Sequence, residues 1–83
     1  MCTTYILQRE KDGKFYIGST TNIENRIKKH NSGQSRYTKN KGPFRIVYQE
    51  QYETLSEAKK REYYLKSLKS RKALEKLIKG AFV

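Results

Sequence analysis

Glu62 is the first residue whose position asks for a chemical explanation. Ala58, Leu65 and Leu68 recur at helical spacing, and Glu62 lies four residues after Ala58 and three before Leu65. It therefore falls on the same stripe as the apolar residues. A carboxylate on a core-facing stripe is costly unless it is paired, hydrogen-bonded or bound to a metal. Two readings are open. One is a structural ion pair with a neighbouring Lys or Arg. The other is a single-carboxylate site for Mg²⁺, which keeps most of its waters and often takes one or two carboxylates plus substrate phosphate.

Arg26 and His30 form a second pair, four residues apart along the edge of a stripe marked by Ile23 and Ile27. Side by side, an Arg and a His can clamp a phosphate and give or take a proton. The alternative is an exposed basic edge beside Lys28 and Lys29. A third set comes from the opening hairpin. If its turn has two or four loop residues, Tyr5, Leu7, Tyr16 and Gly18 share one face of the sheet. A four-residue loop sets Tyr16 opposite Leu7, roughly 7–8 Å and one diagonal from Tyr5. A bulged turn would break this parity. Tyr on a strand is ordinarily half-buried core. Gly18 is different, because a glycine inside a good strand often marks close approach by another group.

The elements that must hold these groups read in the order β-β-α-β-α-α. Thr3 to Arg9 is rich in β-branched and aromatic residues and reads as a strand. Asp12-Gly13 is a hairpin signal, and Phe15 to Thr20 is the returning strand. Thr21 with Glu24 resembles a capping box opening a helix from about Asn22 to His30, and Gly33 is available as its left-handed cap. Gln34 to Gly42 has no periodicity and reads as a basic loop. Phe44 to Tyr52 alternates, with Ile46, Tyr48 and Tyr52 expected on one face. Thr54 with Glu57 is a second capping box, for a helix through about Leu68. Ser70 is the expected cap of a last helix running to Gly80, with Ala73, Leu74, Leu77 and Ile78 as its apolar stripe. The fold class expected is α/β in the broad sense (α+β): a small, mainly antiparallel three-stranded sheet flanked by helices.

The chain has 83 residues, with 19 Lys+Arg against 8 Asp+Glu, a net charge of +11, and 35% hydrophobic residues. This length fits one domain, residues 1–83, with a small core. It excludes a multi-domain enzyme or a large cofactor-binding fold. No stretch of about 18 apolar residues spans a membrane, and MCTTYILQRE lacks the features of a signal peptide. With Cys2 alone there is no disulfide framework and no Cys-based metal site; its expected state is an inert thiol. A cytoplasmic protein is expected. The charge excess favours a polyanionic partner, because each Lys or Arg laid on a phosphate releases a counterion.

FYIGSTTNIENRIKKHNSG resembles the second half of the GIY-YIG nuclease signature, with Tyr16-Ile17-Gly18 as the YIG triplet. In that family an Arg lies ten residues after the YIG tyrosine, which here is Arg26, and many members have a His one turn later, matched by His30. The GIY half is represented by Thr3-Thr4-Tyr5, where only the tyrosine is kept. SEAKKREYYLK looks like the helix that carries the family's metal-binding glutamate, which places that role on Glu62. The resemblance runs from about Thr3 to Ile78. It is closest to small stand-alone bacterial members related to the N-terminal domain of excinuclease C.

The resemblance implies a DNA endonuclease that hydrolyses phosphodiesters with one divalent ion, Mg²⁺ or Mn²⁺, and a role in repair or recombination on branched or damaged DNA. Glu62 would hold the ion. Arg26 would stabilise transition-state charge. Tyr5 or Tyr16 would orient water or act as base, with pKa lowered by nearby positive charge. His30 would accept the tyrosine proton or orient the phosphate. Some members carry a late Asn; none follows Asn40 here, so that role falls vacant or to a residue such as Lys66. Binding would rest on Arg36, Lys39 and Lys41 in the loop, on Lys28 and Lys29, and on Arg71, Lys72, Lys76 and Lys79. Tyr37 could stack on an unpaired base. Two other readings fit the same residues: a non-catalytic nucleic-acid-binding module that needs a protein partner, and a basic RNA-binding accessory protein.

Overall fold

The computed structural model describes residues 1–31 and 43–80. The elements are β1 (Cys2–Arg9), β2 (Phe15–Thr20), α1 (Ile23–Asn31), β3 (Phe44–Tyr52), α2 (Leu55–Ser67) and α3 (Arg71–Gly80). All pairing is antiparallel, in the order β2-β1-β3. The expected element order and sheet type are those observed.

The hairpin closes with four loop residues between Arg9 and Lys14. Arg9 N–H donates to Lys14 O at 2.9 Å, and Gly13 N–H donates to Arg9 O at 2.8 Å. Gly13 takes φ +74°, the left-handed region that favours glycine. Asp12 Oδ1 accepts Lys14 N–H at 3.1 Å and tightens the turn. An even loop preserves the parity, so Leu7 pairs with Tyr16 and Tyr5 with Gly18.

Helices cover both faces of the sheet, which explains why β1 is buried without interruption from Cys2 to Leu7. On one face Tyr5, Leu7 and Phe44 pack with Tyr16, Ile46 and the α1 residues Ile23 and Ile27. On the other, Ile6 packs with Phe15, Ile17 and Tyr48 under Leu65 of α2, its capping residue Leu68, and Leu74, Leu77 and Ile78 of α3. Thr4 Oγ1 donates to the Ala58 carbonyl at 2.7 Å and fixes α2 on the central strand.

Two local expectations are corrected. First, the β1–β3 pairing shifts register between Ile6 and Leu7: Ile6 faces Tyr48, and Leu7 faces Ile46. The extra residue, Val47, is a bulge. Ile46 therefore turns toward α1, while Tyr48 turns toward α2 with Tyr52. Second, the cap of α1 is Asn22, not Thr21. Asn22 Oδ1 accepts Asn25 N–H at 3.1 Å, and Asn22 N–H is itself held by Thr20 Oγ1 at 3.1 Å. Asn caps at least as well as Thr, and the Thr20 bond fixes its register. The other caps stand as read. Thr54 accepts Glu57 N–H at 3.2 Å, and Ser70 accepts Ala73 N–H at 3.2 Å. Gly33 and the basic loop lie outside the described residues. The Asn31 side chain joins α1 to β3 by bracketing the Phe44 backbone: Phe44 N–H donates to its Oδ1 at 2.7 Å, and its Nδ2 donates to Phe44 O at 3.3 Å.

Candidate active site

Tyr5, Gly18, Ser19, Arg26, Glu62 and Lys66 meet at the outer edge of β2. Gly18 makes the meeting possible. A Cβ built on it would lie 2.6 Å from Tyr5 Cζ, so the ring occupies the space a side chain would need. The Tyr5 phenol thus extends across the outer strand while the residue stays 2% exposed. Alternation points Gly18 toward α1 and Ser19 toward α2.

From α1, the exposed Arg26 guanidinium comes near enough to the Tyr5 hydroxyl to favour its ionised form. From α2, Glu62 reaches β2. Ser19 Oγ donates to Glu62 Oε1 at 2.5 Å, and Lys66 Nζ donates to Oε2 at 2.7 Å. The Glu62 side chain is 15% exposed, between the buried Ala58 and Leu65, as the helical period requires. The ion pair foreseen as one reading of Glu62 is present, with Lys66 as partner.

The charges set protonation. Burial pushes the Tyr5 phenol above its ordinary value; Arg26 and Lys66 oppose this and Glu62 adds to it, and the upward shift prevails. Tyr5 is therefore a neutral phenol at pH 7. For Glu62, burial works upward, but Lys66 and Ser19 hold the carboxyl below its ordinary range. It is therefore an anion at pH 7. A buried neutral hydroxyl, an exposed guanidinium and a half-buried carboxylate from three elements can together position a phosphate, stabilise added negative charge and bind a cation.

The remaining candidates are placed differently. The Tyr16 ring meets Phe44 edge-on, with centroids 5.1 Å apart and planes at 88°, in the cluster beneath α1. His30 belongs to α1 one turn after Arg26, but its side chain lies outside the described residues. Arg36, Tyr37, Lys39 and Lys41 lie outside them as well. Lys28 and Lys29 are exposed on α1, and Lys72, Lys76 and Lys79 on α3. Arg71 is engaged within the fold. It donates to Gly13 O at 2.9 Å and to Glu75 at 2.8 Å, and its guanidinium lies 4.5 Å from the Phe15 ring centroid.

Two polar groups escaped the sequence reading. Ser19 is one; its signal was the strand parity that turns it toward the helix carrying Glu62. Glu50 is the other. Its carboxylate accepts the Tyr48 and Tyr52 hydroxyls and a two-pronged Arg61 contact at 3.0 and 3.2 Å. Burial and then the Glu50 bond push the Tyr48 phenol up to about 12. Every partner of this cluster is satisfied, so its role is to fasten α2 to β3.

Among the described residues, no three His, Cys, Asp or Glu stand together as a metal cage. The donor set at the site is one ionised carboxylate. That fits a hard divalent ion which keeps its waters and shares a substrate phosphate, and it does not fit a zinc-type cage. No described helix is long and apolar enough to cross a membrane.

This topology, with Tyr, Arg and Glu converging beside a strand glycine, is the arrangement that the resemblance to GIY-YIG nucleases implies. The chain belongs to the GIY-YIG family: the model of the GIY-YIG catalytic domain matches residues 1–78. Its relatives are small proteins of similar length. It is 48% identical over 71 residues to a UPF0213 protein of Staphylococcus saprophyticus, covering 84% of this chain and 87% of that one. It is 49% identical over 69 residues to one of Staphylococcus aureus, covering 82% and 83%. The solution NMR structure of a UPF0213 protein of Bacillus halodurans superposes with a TM-score of 0.60 at 42% identity, covering 95% of this chain and 84% of that one.

Proposed function

We propose that this protein is a metal-dependent DNA endonuclease acting on branched or damaged DNA in repair or recombination. The observation that carries the reading is that Arg26, Tyr5 and Glu62, from three elements, come together at the edge of β2, Tyr5 over Gly18 and Glu62 on Ser19. Glu62 is the residue that would hold Mg²⁺ or Mn²⁺, with Lys66 giving up one oxygen. When bound, such an ion neutralises charge on the scissile phosphate and the leaving oxygen.

The chain's own groups do the rest. Arg26 stands exposed at the edge of the site, where its guanidinium can stabilise the charge added as water attacks. Tyr5, neutral and beside Arg26, orients the water or the phosphate. Its raised pKa makes it a poor proton acceptor at pH 7. That leaves proton acceptance to Tyr16 or His30. Ser19 and Lys66 keep Glu62 ionised and aimed before substrate arrives. Lys28, Lys29, Lys72 and Lys76, with Arg36, Lys39 and Lys41 of the loop, supply sequence-independent phosphate contacts. Arg71 contributes by holding α3 against the hairpin.

One observation favours a second reading, a binding module without turnover. Both Glu62 oxygens already have partners within the protein, as a structural ion pair would. Incubation with supercoiled plasmid and branched oligonucleotides, with and without Mg²⁺ or Mn²⁺, separates the two. Nicking that needs the metal supports the enzyme. Salt-sensitive binding with no cleavage under any metal supports the module. Preference for RNA over DNA of equal length would favour an RNA-binding accessory role instead.

A further inference from the structure

α2 presents aromatic surface to solvent beside the candidate site. Tyr63 is 69% exposed and Tyr64 53%, although a tyrosine ring ordinarily contributes its apolar body to a core or an interface. The two differ in what surrounds them. The Arg61 guanidinium lies 5.1 Å from the Tyr64 ring centroid, so one face of that ring is taken. Among the described residues, no hydrogen bond, ion pair or ring contact engages the Tyr63 side chain.

Its neighbours on the helix surface are Lys59, one turn before, Lys60, Lys66 and Ser67. Lys59 and Lys66 both act electrostatically on the Glu62 carboxylate, and Lys66 contacts it directly. The Tyr63 ring is therefore open, bordered by cations, and continuous with the centre at Glu62. An apolar protein partner would not be met by a ring of lysines. A strand of nucleic acid would: its phosphates match the cations, and its bases offer π-faces to the ring.

We infer that Tyr63 is a stacking platform for an unpaired base of the DNA strand that runs past Glu62. It would favour substrates with single-stranded or splayed segments over continuous duplex, since a paired base has no free face to give it. Selectivity of this kind depends on structure and not on sequence. The inference rests on DNA as the proposed polyanion and goes further by naming the residue that selects its form.

Binding measured in EDTA tests it without requiring cleavage. The probes are a blunt duplex and the same duplex bearing a single-stranded overhang. Tyr63→Ala is expected to weaken binding to the overhang DNA by about tenfold, the scale of one lost base stack, and binding to the blunt duplex by less than about twofold. Tyr63→Phe is expected to bind both as the native protein does. The sequence contains no Trp, so Tyr63→Trp supplies a single tryptophan, excited at wavelengths the tyrosines do not absorb and expected to be quenched by the overhang DNA and not by the blunt duplex. Thermal midpoints of the variants check that the exposed position leaves the fold intact.

An unchanged affinity of Tyr63→Ala for the overhang DNA would overturn the inference. So would an equal loss on both probes, which would make Tyr63 an ordinary backbone contact. A protein that binds in this Tyr63-dependent way but cuts no DNA would leave the inference standing and defeat the nuclease proposal. One that cuts DNA with Tyr63 silent would do the reverse.

Discussion

Gly18 carries no side chain because the Tyr5 ring fills the space one would need. With a Cβ there, Tyr5 Cζ at 2.6 Å and Cε1 at 3.1 Å leave no room without moving the ring. Gly18→Ala is expected to cost about 1–3 kcal/mol, as other overpacking substitutions do, and to pull Tyr5 from Arg26. Urea denaturation would measure the cost. In a Tyr5→Phe background it should be smaller, because the hydroxyl is part of the clash; purely additive costs would show that the hydroxyl takes no part in it and leave only the ring as the group Gly18 accommodates. Glu62 and Glu50 make a prediction of opposite chemistry. Both carboxyls are depressed in the folded state from an ordinary value of 4.5, because charge and hydrogen-bond partners outweigh burial. Their stabilisation is present above that unfolded value and is lost as pH falls through the lower folded values. The urea midpoint should therefore drop on acidification below about pH 4.5. Glu50→Gln, which leaves Arg61 half-paired, should lower the midpoint at pH 7 and flatten its fall in acid. An acid limb as steep as the native one would contradict this.

At the scale of elements, the helices are held at their N-termini by short polar side chains. Asn22→Ala is expected to cost about 1 kcal/mol, with Thr21→Ala near neutral; the reverse order in thermal melts would restore Thr21 as the cap. That pair marks where sequence reasoning stopped. Thr21, with Glu24 three residues on, is a good capping pattern, but so is the adjacent Asn22, and only the Thr20 contact chooses between them. The strands, the Asp-Gly turn and the caps at Thr54 and Ser70 were legible because each is a local signal. The place of Glu62 was legible because Ala58 and Leu65 are buried at helical spacing around it. The Val47 bulge was not, since period-two reasoning presumes an unbroken ladder. Ser19–Glu62 and Glu50–Arg61 were not either, because they join residues 43 and 11 apart in the chain. Only the packing of α2 on the sheet brings them together.

At the scale of the whole molecule, net charge of +11 on 83 residues makes affinity for DNA an electrostatic quantity. Log K should fall linearly with log salt, with a slope near −0.9 for each phosphate neutralised. Replacing both Lys72 and Lys76 with Ala should weaken binding about equally for unrelated sequences and reduce the slope by about 2. An unchanged slope would remove α3 from the DNA footprint. Arg71→Ala should act differently. Its contacts with Gly13 and Phe15 hold α3 to the hairpin, so it should lower stability as well as affinity.

The proposed function stands or falls on Glu62 and Arg26 acting together as a hydrolytic centre. The most direct measurement is the rate of Mg²⁺- or Mn²⁺-dependent nicking of supercoiled plasmid by Glu62→Gln and Arg26→Ala, beside the native protein. DNA binding in EDTA would be measured on the same preparations. The native protein is expected to nick, each variant to lose at least about a hundredfold of that rate, and Glu62→Gln to bind within about twofold of native. Variants that nick as fast as the native protein would contradict the proposed function.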